Sequence, residues 1–234
     1  MTTPRSSLTA FGPVASPVSL SRAQGFDLRR ISSREDWSSV RRLRFDALRS
    51  RGEIAENAER FHGDRYDAAL NTNTFLLSRH GRALGTARSS VSCATRRWPL
   101  PAMDAFGHEI RSALGLDSTI VEASLALVDP SISSDPKNAL FCLFKAPMLH
   151  CAAENADWLI VAVRDSQIGF YRRIFNMEIL SGAESYLGMA WPRVLMGFAY
   201  RDQAPLLFKR IPALAVSDAD EREFSETGIV SLHP

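Results

Sequence analysis

The chain has 234 residues, 45% hydrophobic and 23% charged, with a net charge of +2. That profile fits a soluble globular protein long enough for one sizeable core, and the near-neutral balance carries no nucleic-acid footprint. No uncharged apolar window of about 18 residues occurs, so no membrane span is expected. The three cysteines, Cys93, Cys142 and Cys151, follow no framework spacing, so free thiols and a cytoplasmic location are expected.

Residues 1–25 are rich in Ser, Thr, Pro and Ala and lack both the basic and the apolar region of a signal peptide. They read as a mobile tail. A first strand is expected over 26–31. Ser32 or Ser33 then caps a helix, with Glu35 and Asp36 in its first turn and Gly52 as its stop. Trp37, Val40, Leu43 (or Arg44), Ala47 and Leu48 keep helical spacing, and Arg41, Arg42, Arg44, Arg49 and Arg51 decorate the rest. Residues 53–70 read as a polar connection with a turn at His62-Gly63-Asp64. Two strands, 74–78 and 83–91, flank the tight turn at His80-Gly81-Arg82. A helix over 103–114 ends at Gly115.

The stretch from Ser118 to Pro130 reads as a buried strand with one discordant residue. Alternation puts Ile120, Glu122, Ser124, Ala126 and Val128 on one face, and Val121, Ala123, Leu125 and Leu127 on the other. A buried, unpaired carboxylate costs several kcal/mol by rough reckoning, so Glu122 is either ion-paired or chemically employed. Residues 137–155 are apolar on most sides and read as a buried helix despite Pro147. A strand over 158–163, a short helix over 166–175 and strands over 178–181 and 194–201 follow. From 214 onward the chain turns acidic and polar and reads as a frayed tail. The order predicts an α/β (α+β) domain over 26–213 with a mixed sheet, since hairpin and crossover connections both occur.

No Gly-x-Ser-x-Gly elbow and no Gly-x-x-x-x-Gly-Lys loop is present. His150, Cys151 and Glu154 lie close in sequence but lack a second cluster, so no metal site is expected. Adjacent helix positions do not face each other, which argues against a Cys151–His150 nucleophile.

Arg41-x-x-x-Phe45, Asp64-x-x-Asp67, Arg88 and Glu122-Ala-Ser, in this order, resemble the N-acyl-homoserine lactone synthases. The stretches Arg-Leu-Arg-Phe-Asp-Ala-Leu (42–48), Gly85-Thr-Ala-Arg and Glu122-Ala-Ser-Leu are more similar still to the N-acyl amino acid synthases of the FeeM type. The resemblance spans roughly 26–212, and both families belong to the GNAT acyltransferase superfamily. It implies a GNAT-like, mostly antiparallel sheet with splayed central strands. It also implies transfer of a fatty acyl group from a carrier-protein thioester to an amine. Where the lactone synthases carry Arg after Glu-x-Ser, this chain has Leu125. Where they carry a Trp after the first-helix Phe, it reads Leu48-Arg-Ser-Arg-Gly-Glu. Both departures favour a free amino acid acceptor over S-adenosylmethionine.

The segment 129–139, Asp-Pro-Ser-Ile-Ser-Ser-Asp-Pro-Lys-Asn-Ala, also lacks the glycine turn that coenzyme-A-dependent relatives use to hold a pyrophosphate. The expected donor is therefore the phosphopantetheine arm of an acyl carrier protein, with no tightly bound cofactor. Arg96, Arg97, Lys137, Lys145, Arg172 and Arg173 are candidates for docking that acidic partner. An amine attacks a thioester only after losing a proton, so a base must stand within about 3 Å, directly or through one water. Glu122 is the candidate, with Asp64 or Asp67 as alternatives that would otherwise hold the ammonium. Arg88 or Arg41 can clamp the acceptor carboxylate. The resemblance further implies oxyanion donors near Ser124–Leu127 and, in Phe170-Tyr171, an acid at Tyr171 for the leaving thiolate. Met103, Phe106, Phe141, Phe144 and Met148 are candidate linings of an acyl tunnel. The alternatives are a lactone synthase, a coenzyme-A-dependent acetyltransferase, or a non-catalytic acyl-binding module.

Overall fold

The computed structural model describes residues 25–115, 117–132, 136–227 and 229–232. Strand β1 (Phe26–Arg30) turns Phe26 and Leu28 inward. Ser33 then caps α1 (Arg34–Ser50) by accepting from the Asp36 N–H at 3.1 Å, and Gly52 leaves the helix at φ +66°. Strands β2 (Thr72–Arg79) and β3 (Arg82–Ser92) meet at His80 and Gly81, whose φ values of 50° and 75° make a two-residue turn matched to strand twist. After α2 (Met103–Leu114), Gly115 at φ +82° redirects the chain into β4 (Ile120–Val128). Then come α3 (Pro136–Ala153), β5 (Trp158–Val163), α4 (Ile168–Phe175), β6 (Glu178–Glu184) and β7 (Arg193–Ala199). The chain ends with α5 (Tyr200–Arg210), α6 (Asp218–Thr227) and β8 (Ile229–Leu232).

The strands form one sheet in the order β6-β7-β5-β4-β3-β2-β1-β8. Every neighbouring pair is antiparallel except β4 and β5. This is the mixed, mostly antiparallel sheet expected. Helices α1 and α2 cover one face, burying Leu43, Ala47 and Leu48, and Phe106 and Ile110, respectively. The other face carries α3, buried nearly all round as its composition foretold, with α4, α5 and α6 beside it.

The parallel pair is what shapes the site. Pairing between β4 and β5 runs from Ile120↔Trp158 to Ala123↔Val161 and stops there. Beyond that point β4 stays with β3 and β5 stays with β7, so the two strands part. The cause sits on β4. Between Arg88↔Ser124 and Thr86↔Leu127 it takes three steps while β3 takes two, a bulge centred on Leu125 at φ +50°. A bulge bends and twists its strand.

The bulge also corrects the expected alternation. Up to Ser124 the predicted faces hold, with Val121 and Ala123 packing toward α3. Past Leu125 they invert: Leu125 and Leu127 pack on α1, while Ala126 and Val128 turn to α3. An inserted residue shifts a period-2 pattern by one.

Four further expectations are corrected. Arg44 is not surface decoration but fully buried. The last predicted strand stops at Ala199, and Tyr200 begins α5 instead. The polar tail expected from 214 onward contains α6, whose Phe224 stacks on Phe75, and β8, which extends the sheet beside β1. Lys145, proposed for docking, is buried; it pairs with Asp220 at 3.0 Å and donates to the Ala215 carbonyl. The N-terminal tail expected over 1–25 lies outside the described residues apart from Gly25.

Candidate active site

Register sets Arg88 of β3 opposite Ser124 of β4. Arg88 Nε donates to Ser124 Oγ at 3.0 Å. Its Nη1 reaches Asp64 Oδ1 at 2.5 Å and Asp67 Oδ1 at 3.1 Å. The two aspartates come from a short 3-10 turn, Arg65–Ala68, where Asp64 accepts from the Tyr66 N–H at 2.9 Å and the Asp64 N–H contacts Asp67 Oδ2. Arg44 of α1 completes the cluster, donating to both oxygens of Asp67 at 2.7 and 2.8 Å. Two guanidinium groups thus face two carboxylates, which lets Arg44, Arg88 and Asp67 leave bulk water together while Asp64 stays partly exposed. Burial alone would raise Asp67, but Arg44 and Arg88 together hold it below the usual carboxylate range. Arg88 Nη2 is buried without a partner.

Two residues along β4 from Ser124 lies Glu122, with no exposed surface. Its Oε2 accepts from the Ala102 N–H at 2.7 Å, at the start of α2, and its Oε1 accepts from the Tyr186 hydroxyl at 2.9 Å. Burial pushes its pKa up to about 7, against the lowering pull of the Ala102 N–H, Arg88 and Tyr186. A carboxylate poised there can take or return a proton near neutral pH.

Where β4 and β5 part there is a cavity of about 80 Å³, walled by Arg88, Ser124, Leu125, Phe144, Tyr171 and Tyr186 among others. Typical ligand pockets hold roughly 300–1,000 Å³, so an acyl chain must widen the gap to enter. Tyr171 of α4 stands on its α3 side, and burial raises its hydroxyl to about 12.

Not every residue singled out by sequence meets here. Asp64, Asp67, Arg88 and Ser124 form one hydrogen-bonded cluster, Glu122 is tied to the same cavity through Tyr186, and Leu125, Phe144 and Tyr171 line that cavity. Arg41 does not join them. It is exposed, stacks over Trp37 at 5.6 Å, and Arg44 occupies the inward position one residue short of a turn further on. Phe45 is buried, but under Arg60 and beside a separate surface groove that includes Asp129. Phe141 packs against Phe144 at 6.4 Å rather than on the cavity wall. The five tunnel candidates cannot line one passage, because Met103 and Phe106 pack on the α2 face and Phe141, Phe144 and Met148 on the α3 face.

Sequence reasoning missed Tyr186 and the Glu53–Arg193 ion pair, both on the cavity wall. Both involve connections without periodic pattern. Arg44 left a signal, since it lies four residues after Val40 and three before Ala47. No group of three or more His, Cys, Asp or Glu side chains converges among the described residues, and no described helix is long and apolar enough to cross a membrane.

A family model described as N-acyl amino acid synthase FeeM matches residues 39–199. Among solved structures, the chain is similar to FeeM, an N-acyl amino acid synthase from uncultured soil microbes, with a TM-score of 0.63 and 15% identity over 78% of this chain and 96% of that one. It is also similar to the AHL synthase LasI, with a TM-score of 0.60 and 13% identity over 82% and 97%. The coenzyme-A-dependent acyl-homoserine lactone synthase BjaI gives 0.57 and 20% over 80% and 90%. A comparison with curated protein sequences found no match. At these identities the structures speak for the GNAT-like fold, whereas the family model covers most of the domain, cluster and cavity strands included. The chain belongs to the FeeM family of N-acyl amino acid synthases and is an acyltransferase.

Proposed function

We propose that this chain moves a fatty acyl group from the phosphopantetheine thioester of an acyl carrier protein to the amino group of an amino acid, with Glu122 as the base. One observation carries the reading: a fully buried carboxylate, raised to about 7, sits one hydrogen bond behind the gap between β4 and β5. In the proposed reaction the acceptor enters as its ammonium form and gives one proton toward Glu122. The free amine attacks the thioester carbon. The unpaired edge of β4 over Ser124–Leu127 offers N–H groups to the oxyanion. The C–S bond breaks with its electron pair on sulfur, and Tyr171, protonated at neutral pH, gives its hydroxyl proton to that thiolate. The second N–H proton passes through solvent to restore the Tyr171 hydroxyl, while Glu122 returns its proton to solvent after turnover.

Arg88 is the residue assigned to the acceptor carboxylate. Its Nη1 is engaged by Asp64 and Asp67 and its Nε by Ser124, while Nη2 keeps its donors free at the cavity. Asp64 and Asp67 are then positioning groups for Arg88 rather than competing bases.

The fold leaves the donor open, since BjaI uses coenzyme A. The carrier-protein reading is supported by the sequence of 129–139, which holds no glycine and includes two aspartates, unlike the glycine turn that coenzyme-A-dependent relatives use to hold a pyrophosphate. The test is incubation with acyl carrier thioesters, acyl-coenzyme A and all amino acids, read by mass spectrometry. N-acyl amino acid formed from the carrier thioester supports the reading. Product from acyl-coenzyme A alone overturns the donor, and no N-acyl product from either donor overturns the reaction.

A further inference from the structure

Glu122 cannot meet the acceptor amine head-on in this arrangement. It is not on the cavity wall; Tyr186 is. Tyr186 links the two, lining the cavity and donating its hydroxyl to Glu122 Oε1 at 2.9 Å, while Ala102 N–H holds Oε2. We infer that Tyr186 is the proton relay of the acylation step, taking the amine proton on its phenol oxygen while handing its own proton to Glu122. The inference rests on the reading of Glu122 as base.

An N–H bond of the ammonium breaks, leaving its electron pair on nitrogen for the thioester carbon. The phenol O–H breaks as a new O–H forms on the same oxygen, and Glu122 Oε1 ends protonated. Tyr186 is unchanged overall, and no oxidant, reductant or co-reactant is required. A free phenolate is never formed, which suits a phenol that burial and the neighbouring Glu122 charge hold well above its ordinary range.

The local backbone holds Tyr186 for this role. The Met189 N–H donates to the Tyr186 carbonyl at 2.9 Å across Leu187 and Gly188, whose φ values are 46° and 69°. A leucine in the left-handed region is strained and persists only where its surroundings enforce it. Two ties do so. The Ala190 N–H donates to the Glu53 carbonyl at 2.9 Å, and the Glu53 carboxylate pairs with Arg193 in a buried contact. The turn between β6 and β7 is thereby fastened to the end of α1 with Tyr186 directed at Glu122.

The experiment compares Tyr186→Phe, Glu122→Gln and a series of ring-fluorinated tyrosines at position 186, using the full chain with an acyl carrier thioester and its amino acid. The relay predicts that Tyr186→Phe, which keeps the ring, lowers kcat about 100-fold with little change in KM for the amino acid. It also predicts that kcat in the fluorinated series varies systematically with phenol acidity. If Tyr186→Phe stays within about threefold of the parent while Glu122→Gln is inactive, the relay is wrong and the base reading stands. If Glu122→Gln is also active, the base reading falls and takes the relay with it. A slow Tyr186→Phe with a flat fluorinated series overturns the relay too, leaving Tyr186 as a positioning residue. Should Tyr186→Phe fail to fold, the fluorinated series alone decides.

Discussion

Arg44 and Asp67 form a two-pronged ion pair with both side chains shut away from solvent, and Arg88 shares the same carboxylate. Removing the charge at position 67 leaves two buried guanidinium groups with Asp64 as their remaining counter-charge. Asp67→Asn is expected to lose about 3–5 kcal/mol in denaturant unfolding, the cost typical of a broken buried pair. Arg44→Met with Asp67→Leu, which removes two partners together, should cost less than the two single changes summed. A double-mutant cycle measures that difference.

Glu122 makes stability depend on pH in an unusual direction. A carboxyl whose ordinary value is 4.5 ionises near 7 in the folded chain. Between those values the unfolded chain holds fewer protons than the folded one, so stability falls as pH rises through that window, by roughly 3 kcal/mol at most. Glu122→Gln is expected to be more stable than the parent at pH 8 and to lose that advantage below about pH 4.5. Thermal melts of both proteins across the range check it.

His150 tilts the same window the other way. It is buried on the α3 side, with Ser89 Oγ 2.6 Å from its Nδ1, and burial with the charges of Arg96 and Arg30 lowers it from 6.5 to about 4. The unfolded chain then takes up a proton that the folded chain refuses, so stability falls as pH drops from 6.5 toward 4. His150→Gln should flatten acid-side loss, whereas Glu122→Gln should steepen it. Melting temperatures of the parent and the two variants between those limits separate the two contributions.

Much of the fold is legible in the sequence. The cap at Ser33, the turn at His80-Gly81 and the exit at Gly115 are local signals, set by side-chain acceptors and by φ values that glycine favours. Glu122 stood out because a charge in an otherwise apolar strand demands a partner, whereas Arg88, Asp64 and Asp67 stood out only through the order of residues that resembles the synthases. The bulge at Leu125 was illegible, since leucine carries no preference for positive φ. Arg44 shares the helical spacing of Val40 and Ala47, but that its charge is buried depends on a partner 23 residues away, which spacing does not show. Tyr186 depends on a turn whose only local cue is Gly188, and its partner Glu122 lies 64 residues off.

Leu125 tests whether the parting of β4 and β5 matters to turnover. A β-branched residue holds φ near +50° poorly, so Leu125→Val should shift the bulge and close the gap. Leu125→Gly accepts the same backbone while losing the contact with α1. Turnover should fall far more in Leu125→Val than in Leu125→Gly, and comparing kcat at equal folded fraction checks it.

The pH dependence of turnover follows from the same carboxylate. If Glu122 is the base, kcat should fall on the acid side with a single-proton slope centred near pH 7. Steady-state rates with saturating thioester and amino acid from pH 5 to pH 9 give that limb, with about as wide a range as the fold tolerates.

The most direct measurement is a single-turnover reaction of acyl carrier thioester with amino acid, comparing the parent with Glu122→Gln and following amide formation. The account predicts N-acyl amino acid from the parent, and a rate lowered at least about 100-fold in the variant while donor binding persists. A variant that forms amide at the parental rate would contradict it.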